Sequence, residues 1–117
     1  MMKIVGPVSV GDFLDRMSIL EIKLEMGLDV EAELEYYKSR KVDLEKRGFE
    51  HYFSIIKKIN EELWKLEDEK RKKVKRYSQE YSDVSTLITQ LNDLRYQTKM
   101  RIDIYFDSDI REQKSHD

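Results

Sequence analysis

The 117-residue sequence has no cysteine, one proline, four glycines and no long apolar run. Without cysteine the chain cannot form disulfides, thiolate nucleophiles or cysteine-ligated zinc sites, and it fits a reducing compartment, so we expect a cytoplasmic protein. Segment 1–8 has no apolar stretch of signal-peptide length, and nothing later approaches a membrane span. We therefore expect neither export by that route nor insertion into a membrane.

An excess of charge of one sign is lacking too. Lys and Arg number 22 and Asp and Glu number 24, which gives a net charge of -2. Nucleic acid and membrane are therefore not expected partners. The two histidines, His51 and His116, have no second histidine or cysteine at ligand spacing, so we expect no metal and no cofactor. The length fits one domain over 1–117 with a modest core.

Charged and hydrophobic residues each make up 39% of the chain, a mixture typical of long, exposed helices. Ser9 and an aspartate three residues later resemble a capping box, and Gly27 can end a helix in the left-handed conformation. These signals predict a first helix over about 10–26. Asp29 can cap a second helix that runs to about residue 47.

The third and fourth helices are predicted to be longer, over about 50–75 and about 83–106, with a turn at 77–80 between them. The seam of the third helix has alternating spacings of four and three residues: Tyr52, Ile56, Ile59, Leu63 and Leu66. The predicted apolar face of the fourth helix consists of Val84, Leu87, Leu91, Leu94, Thr98, Ile102 and Tyr105. A polar tail, 107–117, is expected to fray.

Short connections make successive helices antiparallel neighbours. We therefore predict an all-α fold, an antiparallel helical bundle in which the third and fourth helices form a long hairpin and the two shorter N-terminal helices pack against it. The basic run Lys70–Arg76 falls at the turn of this hairpin, where cations suit a helix C-terminus and a solvated loop.

Helical projection places several polar side chains within or beside apolar stripes. Glu21 falls in the apolar face of the first helix, and Arg95 falls in that of the fourth, flanked by Asn92 and Lys99. The third helix adds a polar and aromatic strip beside its seam, formed by Asn60, Trp64, Glu67 and Arg71. Because an unpaired charge is costly to remove from water, we expect Glu21 and Arg95 to pair with each other or to share Asn60 and Asn92.

Two interpretations of these residues stay open. A buried ion pair that fixes helix register is the simpler one. The other is a ligand site in which Arg95 and Lys99 hold an anion, while Glu21, Asn60 and Glu67 give hydrogen bonds or transfer protons. Helical carboxylates also bind magnesium in nucleotide pyrophosphatases, but the spacing here does not match their paired-glutamate pattern.

Four stretches of the sequence, in order, resemble a family of short bacterial and phage proteins that is known as a domain of unknown function. They are Gly11–Lys23, Asn60–Asp68, Asn92–Arg95 with Lys99 and Ile102, and Glu112–His116. The resemblance spans nearly the whole chain, and it implies no activity. For bacterial members it implies a setting among genes for surface-polysaccharide synthesis. The candidate ligand-binding residues that lie in these stretches are Glu21, Lys23, Asn60, Trp64, Glu67, Asn92, Arg95 and Lys99.

Two classes of function follow. The first is a non-catalytic binding or assembly module, as a homodimer through the seam of the third and fourth helices, because long amphipathic helices in a small chain need a partner to cover their apolar width. A phage-encoded protein that acts on a host partner is compatible with it. The alternative is a small helical enzyme or binder of an anionic metabolite, such as a nucleotide, sugar phosphate or nucleotide-sugar. The sequence leaves open whether the protein is an enzyme.

Overall fold

The computed structural model describes residues 8–41, 48–72 and 75–106. This part of the chain contains no strand and four helices: α1 (Val10–Glu25), α2 (Glu31–Ser39), α3 (Phe49–Lys72) and α4 (Gln79–Phe106). The predicted all-α bundle is confirmed, since α3 and α4 form a long antiparallel hairpin, α1 packs against both of its arms and α2 packs against α1. The predicted tail, 107–117, lies outside the described residues. No described helix is both long and apolar enough to cross a membrane.

Both ends of α1 follow the predicted capping chemistry. The Ser9 hydroxyl accepts a hydrogen bond from the backbone N–H of Asp12 at 3.2 Å, which satisfies a donor of the first turn. At the other end, Gly27 has a φ of 86°, in the left-handed region that commonly closes helices. The start of the predicted helix 10–26 is confirmed, and the helix ends at Glu25.

The second helix differs from the prediction at both ends. Val30 takes the N-cap position in place of Asp29, and no side chain caps the helix. The helix ends after nine residues, and the predicted continuation over 42–47 lies outside the described residues. Its last buried side chain is Tyr37. The next position on that face is Lys41, so no apolar side chain prolongs the buried stripe there.

The turn of the hairpin ends earlier in the chain than predicted. Tyr77 reverses the chain with a φ of 68°. The hydroxyl of Ser78 then accepts a hydrogen bond from the backbone N–H of Tyr81 at 3.1 Å, which caps the following helix. Helix α4 therefore begins inside the predicted turn 77–80 rather than near residue 83.

The buried face of α4 is rotated from the predicted one. Leu87, Leu94 and Tyr105, predicted to be in the core, are 47%, 46% and 49% exposed. The series that does face the other helices also has seam spacing and contains a cation: Val84, Ile88, Leu91, Arg95, Thr98, Ile102 and Phe106. Hydrophobicity alone does not choose between the two series, because both repeat every three or four residues. The series that contains Arg95 is the buried one, because Arg95 pairs with a carboxylate of α1.

The core of the described chain consists of two hydrophobic clusters. The larger lies where α1, α2, the start of α3 and the end of α4 meet, and includes Leu14, Met17, Leu34, Phe49, Ile56 and Ile102. The smaller joins the second half of α3 to the first half of α4, through Ile59, Leu63, Val84 and Ile88. Helix α1 crosses the hairpin at the boundary of the two clusters, where Asn60 of α3 and Arg95 of α4 face it.

Helices α1 and α4 approach very closely at Gly11. Its backbone N–H donates a hydrogen bond to the Asp103 carboxylate at 2.6 Å. A Cβ atom at Gly11 would overlap the backbone carbonyl oxygen of Lys99. The crossing therefore depends on the absence of a side chain at this position.

We predict that Gly11→Ala destabilises the protein by about 1–3 kcal/mol, because the added methyl group must displace the α4 backbone. At an uncrowded helical position the same change would stabilise by roughly 0.5–1 kcal/mol. Gln97→Ala, on the exposed side of α4, is the control and should stay within about 0.5 kcal/mol of wild type. Urea unfolding followed by circular dichroism measures both variants. A Gly11→Ala protein more stable than wild type would show that the two backbones are not in contact here.

Candidate functional site

A buried ion pair joins α1 to α4. The side chain of Asp15 is 5% exposed. It accepts hydrogen bonds from Nε of Arg95 at 2.8 Å and from Nη2 at 2.7 Å, one on each oxygen, which is the two-bond fork that arginine forms with carboxylates. Lys99 Nζ lies 3.8 Å from Asp15 and 2.7 Å from the carboxylate of Asp12. Two cations of α4 thus face two carboxylates of α1, and their charges cancel.

The third helix joins this ion pair through Asn60, which is 4% exposed. Its Nδ2 donates to Oδ1 of Asp15 at 2.9 Å and to Oγ of Ser18 at 2.8 Å. Since a carboxylate only accepts hydrogen bonds, these contacts fix which end of the amide faces Asp15. The Ser18 hydroxyl in turn donates to the Asp15 backbone carbonyl at 2.7 Å. We term the resulting cluster the Asp15 network: Asp12, Asp15, Ser18, Asn60, Arg95 and Lys99.

The network keeps Asp15 ionised. Burial acts to raise the pKa of its carboxyl group, but hydrogen bonds from Arg95 and Asn60 and the positive charges of Arg95 and Lys99 outweigh burial, so the pKa is lowered below its ordinary value of 3.8. The hydrogen bond to Asp15 raises the pKa of Arg95 in turn. Both groups therefore hold their charges at neutral pH.

The expected pairing of Glu21 with Arg95 is wrong. Glu21 instead lies 3.0 Å from Nζ of Lys57 on α3, which also lies 3.2 Å from Glu25. Burial acts to lower the pKa of Lys57, but its hydrogen bonds to the two glutamates outweigh this effect and raise it. The inward carboxylate is that of Asp15, because α1 is covered by α2, α3 and α4 and so has no single buried stripe from which to assign a face.

The sequence does contain a signal for Asp15. Gly11 lies four residues before it and Ser18 three residues after it, so the three share one face of the helix. Small residues on a helix face allow a neighbouring backbone to come close. An aspartate on such a face must find a partner, since a buried and unpaired carboxylate is costly. Projection against one apolar stripe missed this signal.

A groove of about 410 Å³ opens beside the Asp15 network, between α1, α3 and α4. Arg95 of α4 and Ile19 of α1 contribute to its walls. The rest of its polar lining is the predicted strip of α3: Asn60, Trp64, Glu67 and Arg71. We term this cavity the Trp64 groove.

The structure brings together part of the predicted ligand-binding set. Four of the predicted residues line the Trp64 groove, namely Asn60, Trp64, Glu67 and Arg95. Lys99 belongs to the Asp15 network through its ion pairs. Glu21 pairs with Lys57, Lys23 is half-buried near the end of α1, and Asn92 is exposed on α4. Ligand binding by these residues stays a prediction.

A second groove of about 400 Å³ lies between α3 and α4. Ile55 and Leu94 are part of its lining and are 38% and 46% exposed. Helical projection places these two residues and Leu87 on the side of the hairpin away from α1. We term this surface the open face, comprising Ser54, Ile55, Lys58, Leu87 and Leu94, with the buried Ile59 and Thr98 beneath it.

Comparisons of the chain with protein-family models, with curated proteins and with solved structures gave no significant match. The functional interpretation therefore depends on the contacts and exposed surfaces of this chain. The resemblance of the four sequence stretches to an uncharacterised family stays a prediction.

We predict that Asp15→Ala destabilises the protein by about 3 kcal/mol, because it leaves Arg95 without its partner. This is the low end of the range for a broken buried pair, since the Arg95 side chain is 29% exposed. Glu21→Ala is the control and should cost about 1 kcal/mol or less, because Glu21 is only partly buried and Lys57 keeps Glu25 as a partner at 3.2 Å. Chemical unfolding of both variants measures the difference. Equal losses would contradict a special role for Asp15.

We also predict a contribution of Asp15 to acid unfolding. The folded-state pKa of Asp15 is lowered, so its stabilising effect is full above the unfolded-state pKa of about 3.9 and is lost as the pH falls through the folded-state value. The gap in unfolding free energy between wild type and Asp15→Asn should therefore narrow below about pH 4. Urea unfolding from neutral to acidic pH measures this gap. A difference in unfolding free energy that stayed constant with pH would mean that the carboxyl group of Asp15 has the same pKa in the folded and unfolded states.

Proposed function

We propose that this protein is a non-catalytic binding and assembly module that pairs with a second copy of itself through the open face of the α3–α4 hairpin. The observation that carries the proposal is the exposure of Leu87 and Leu94, at 47% and 46%, on a surface that also contains Ile55 at 38%. Apolar side chains exposed on one side of a helical hairpin favour an interaction site there.

A second copy suits this surface for geometric reasons. The open face runs along two long helices of 24 and 28 residues, so α4 alone is about 42 Å long at 1.5 Å per residue. In a two-fold dimer, the same patch of each subunit covers the other. Two open faces packed in this way would cover the apolar side chains of both hairpins in a four-helix arrangement.

The closed state of the Asp15 network supports the non-catalytic part of the proposal. Arg95 is paired with Asp15, and Lys99 is paired with Asp12. A general acid or base works best with a pKa near the operating pH, whereas the pKa of Asp15 is lowered. The proposal includes the expected cytoplasmic location. A phage-encoded protein that binds a host partner would use the same open face.

A second candidate function is the binding of an anionic metabolite. The observation that favours it is the Trp64 groove, which combines an aromatic ring with the cations Arg71 and Arg95. Its volume falls within the range of small-molecule sites. This groove and the open face lie on different sides of the hairpin, so the two functions do not exclude each other.

We predict that Leu94→Glu keeps the protein monomeric, because the carboxylate would lie unpaired inside the paired open faces. Size-exclusion chromatography with light scattering over a range of concentrations measures the mass. Wild type should rise from the monomer mass of 14.1 kDa towards twice that value. Tyr96→Glu makes the same charge change on the opposite side of α4, where Tyr96 is 65% exposed, and should behave as wild type. A wild-type mass that stays monomeric at every concentration would contradict the proposal.

A further inference from the structure

We infer that the Trp64 groove binds a small ligand that combines a planar ring with a single anionic group, the ring packing against Trp64 and the anion binding Arg71. Mononucleotides belong to this chemical class. The inference rests on the second proposed function, and it does not depend on self-association through the open face.

The walls of the groove favour a flat, largely apolar ring. Trp64 is half-buried and lines the groove. Ile19 and Leu63 add apolar surface nearby. Aromatic rings pack favourably against one another in offset or tilted arrangements. The volume of about 410 Å³ lies within the range of roughly 300–1,000 Å³ that small-molecule sites occupy.

Two polar atoms of the Asp15 network are available to such a ring. The guanidinium of Arg95 uses Nε and Nη2 for Asp15, and Nη1 donates to no residue of the described chain. The amide of Asn60 uses Nδ2, while Oδ1 accepts from no described residue and is not sealed in the interior. Both residues line the groove. A donor and an acceptor on two residues that share Oδ1 of Asp15 match a ring edge with one acceptor nitrogen and one N–H donor, as the N1 atom and the amino group of adenine provide.

The anionic group is assigned to Arg71 rather than to Arg95. The charge of Arg95 is already offset by Asp15, which it contacts at 2.7 Å. Arg71 lines the groove with a side chain that is 67% exposed, and it lies 3.7 Å from Asp68, a carboxylate that binds Lys72 more closely at 2.9 Å. Its guanidinium is therefore the cation of the groove that is best placed to take a new partner.

The surrounding charges set the size of the anion. Arg71 belongs to the run Lys70–Arg76, which contains six cations, but among the described residues of this run Arg71 alone lines the groove. Glu67 also lines the groove and is exposed. Its negative charge acts against a second or third anionic group, because like charges repel at short range. A ligand with one phosphate or carboxylate is favoured over a triphosphate.

Trp64 gives a direct measurement, because it is the only tryptophan in the chain. We predict that adenosine monophosphate changes the emission of Trp64 saturably, while adenosine and adenosine triphosphate bind more weakly and inorganic phosphate leaves the emission unchanged. N-acetyltryptophanamide serves as the optical control for absorption by the nucleotide. Arg71→Gln should weaken the binding of adenosine monophosphate about tenfold, as expected for the loss of a charge-assisted hydrogen bond.

The matched control is Lys75→Gln, which removes the same charge from the same basic run at an exposed residue that does not line the groove. It should change binding by less than about twofold, because its charge is exposed and screened. Equal weakening by Arg71→Gln and Lys75→Gln would overturn the inference, since it would indicate a general effect of positive charge rather than a binding site at Arg71. If glucose 1-phosphate bound and adenosine monophosphate did not, the inference of a planar ring would be wrong. The ligand would then still be an anionic metabolite. No response to either compound would overturn both.

Discussion

The ion pair between Asp15 and Arg95 is the constraint on which the arrangement of the helices depends. Taking two charges out of water costs several kcal/mol for each ion, and the attraction between them offsets that cost only when the geometry is good and the remaining lone pairs are occupied. Here the guanidinium forms a fork on both carboxylate oxygens, and the Asn60 amide occupies a further lone pair. A hydrophobic cluster lies on each side of the pair. If α1 slid along the hairpin, new apolar contacts could replace the old ones, but the two hydrogen bonds between Arg95 and Asp15 would be lost. The ion pair therefore selects one register of α1 on the hairpin.

The short side chain of aspartate gives the ion pair a steric condition. A carboxylate one methylene from the backbone reaches across to α4 only if the two helices lie close together. Gly11 allows this, because any Cβ there would meet the α4 backbone. Ser18 allows the equivalent approach of Asn60 from α3, with a hydroxyl small enough to be fully buried. The small residues Gly11 and Ser18 and the ion pair therefore determine the position of α1 on the hairpin together, and neither explains it without the other.

Residues that act locally made much of this fold predictable. Ser9 and Gly27 mark the ends of α1 through hydrogen bonds and backbone angles that need no partner helix. The faces of α1 and α4 were less predictable, because they depend on which helices cover them. Leu87 and Leu94 have the spacing of a seam, but Arg95 occupies the buried series since it has a carboxylate to meet on α1. A hydrophobicity pattern cannot contain that information, because the partner lies 80 residues away in the chain.

The same ion pair also separates the two surfaces for which we propose functions. Leu94 and Arg95 are neighbours in sequence, and about 100° of helix rotation lies between their side chains. One therefore belongs to the open face and the other to the Trp64 groove. Rotation of α4 about its axis would move both surfaces together and could couple them, as any two-state element linked to two sites can do. The fork between Arg95 and Asp15 resists that rotation, because a turn of α4 would lengthen both of its hydrogen bonds at once. Occupation of one surface should therefore leave the affinity of the other nearly unchanged.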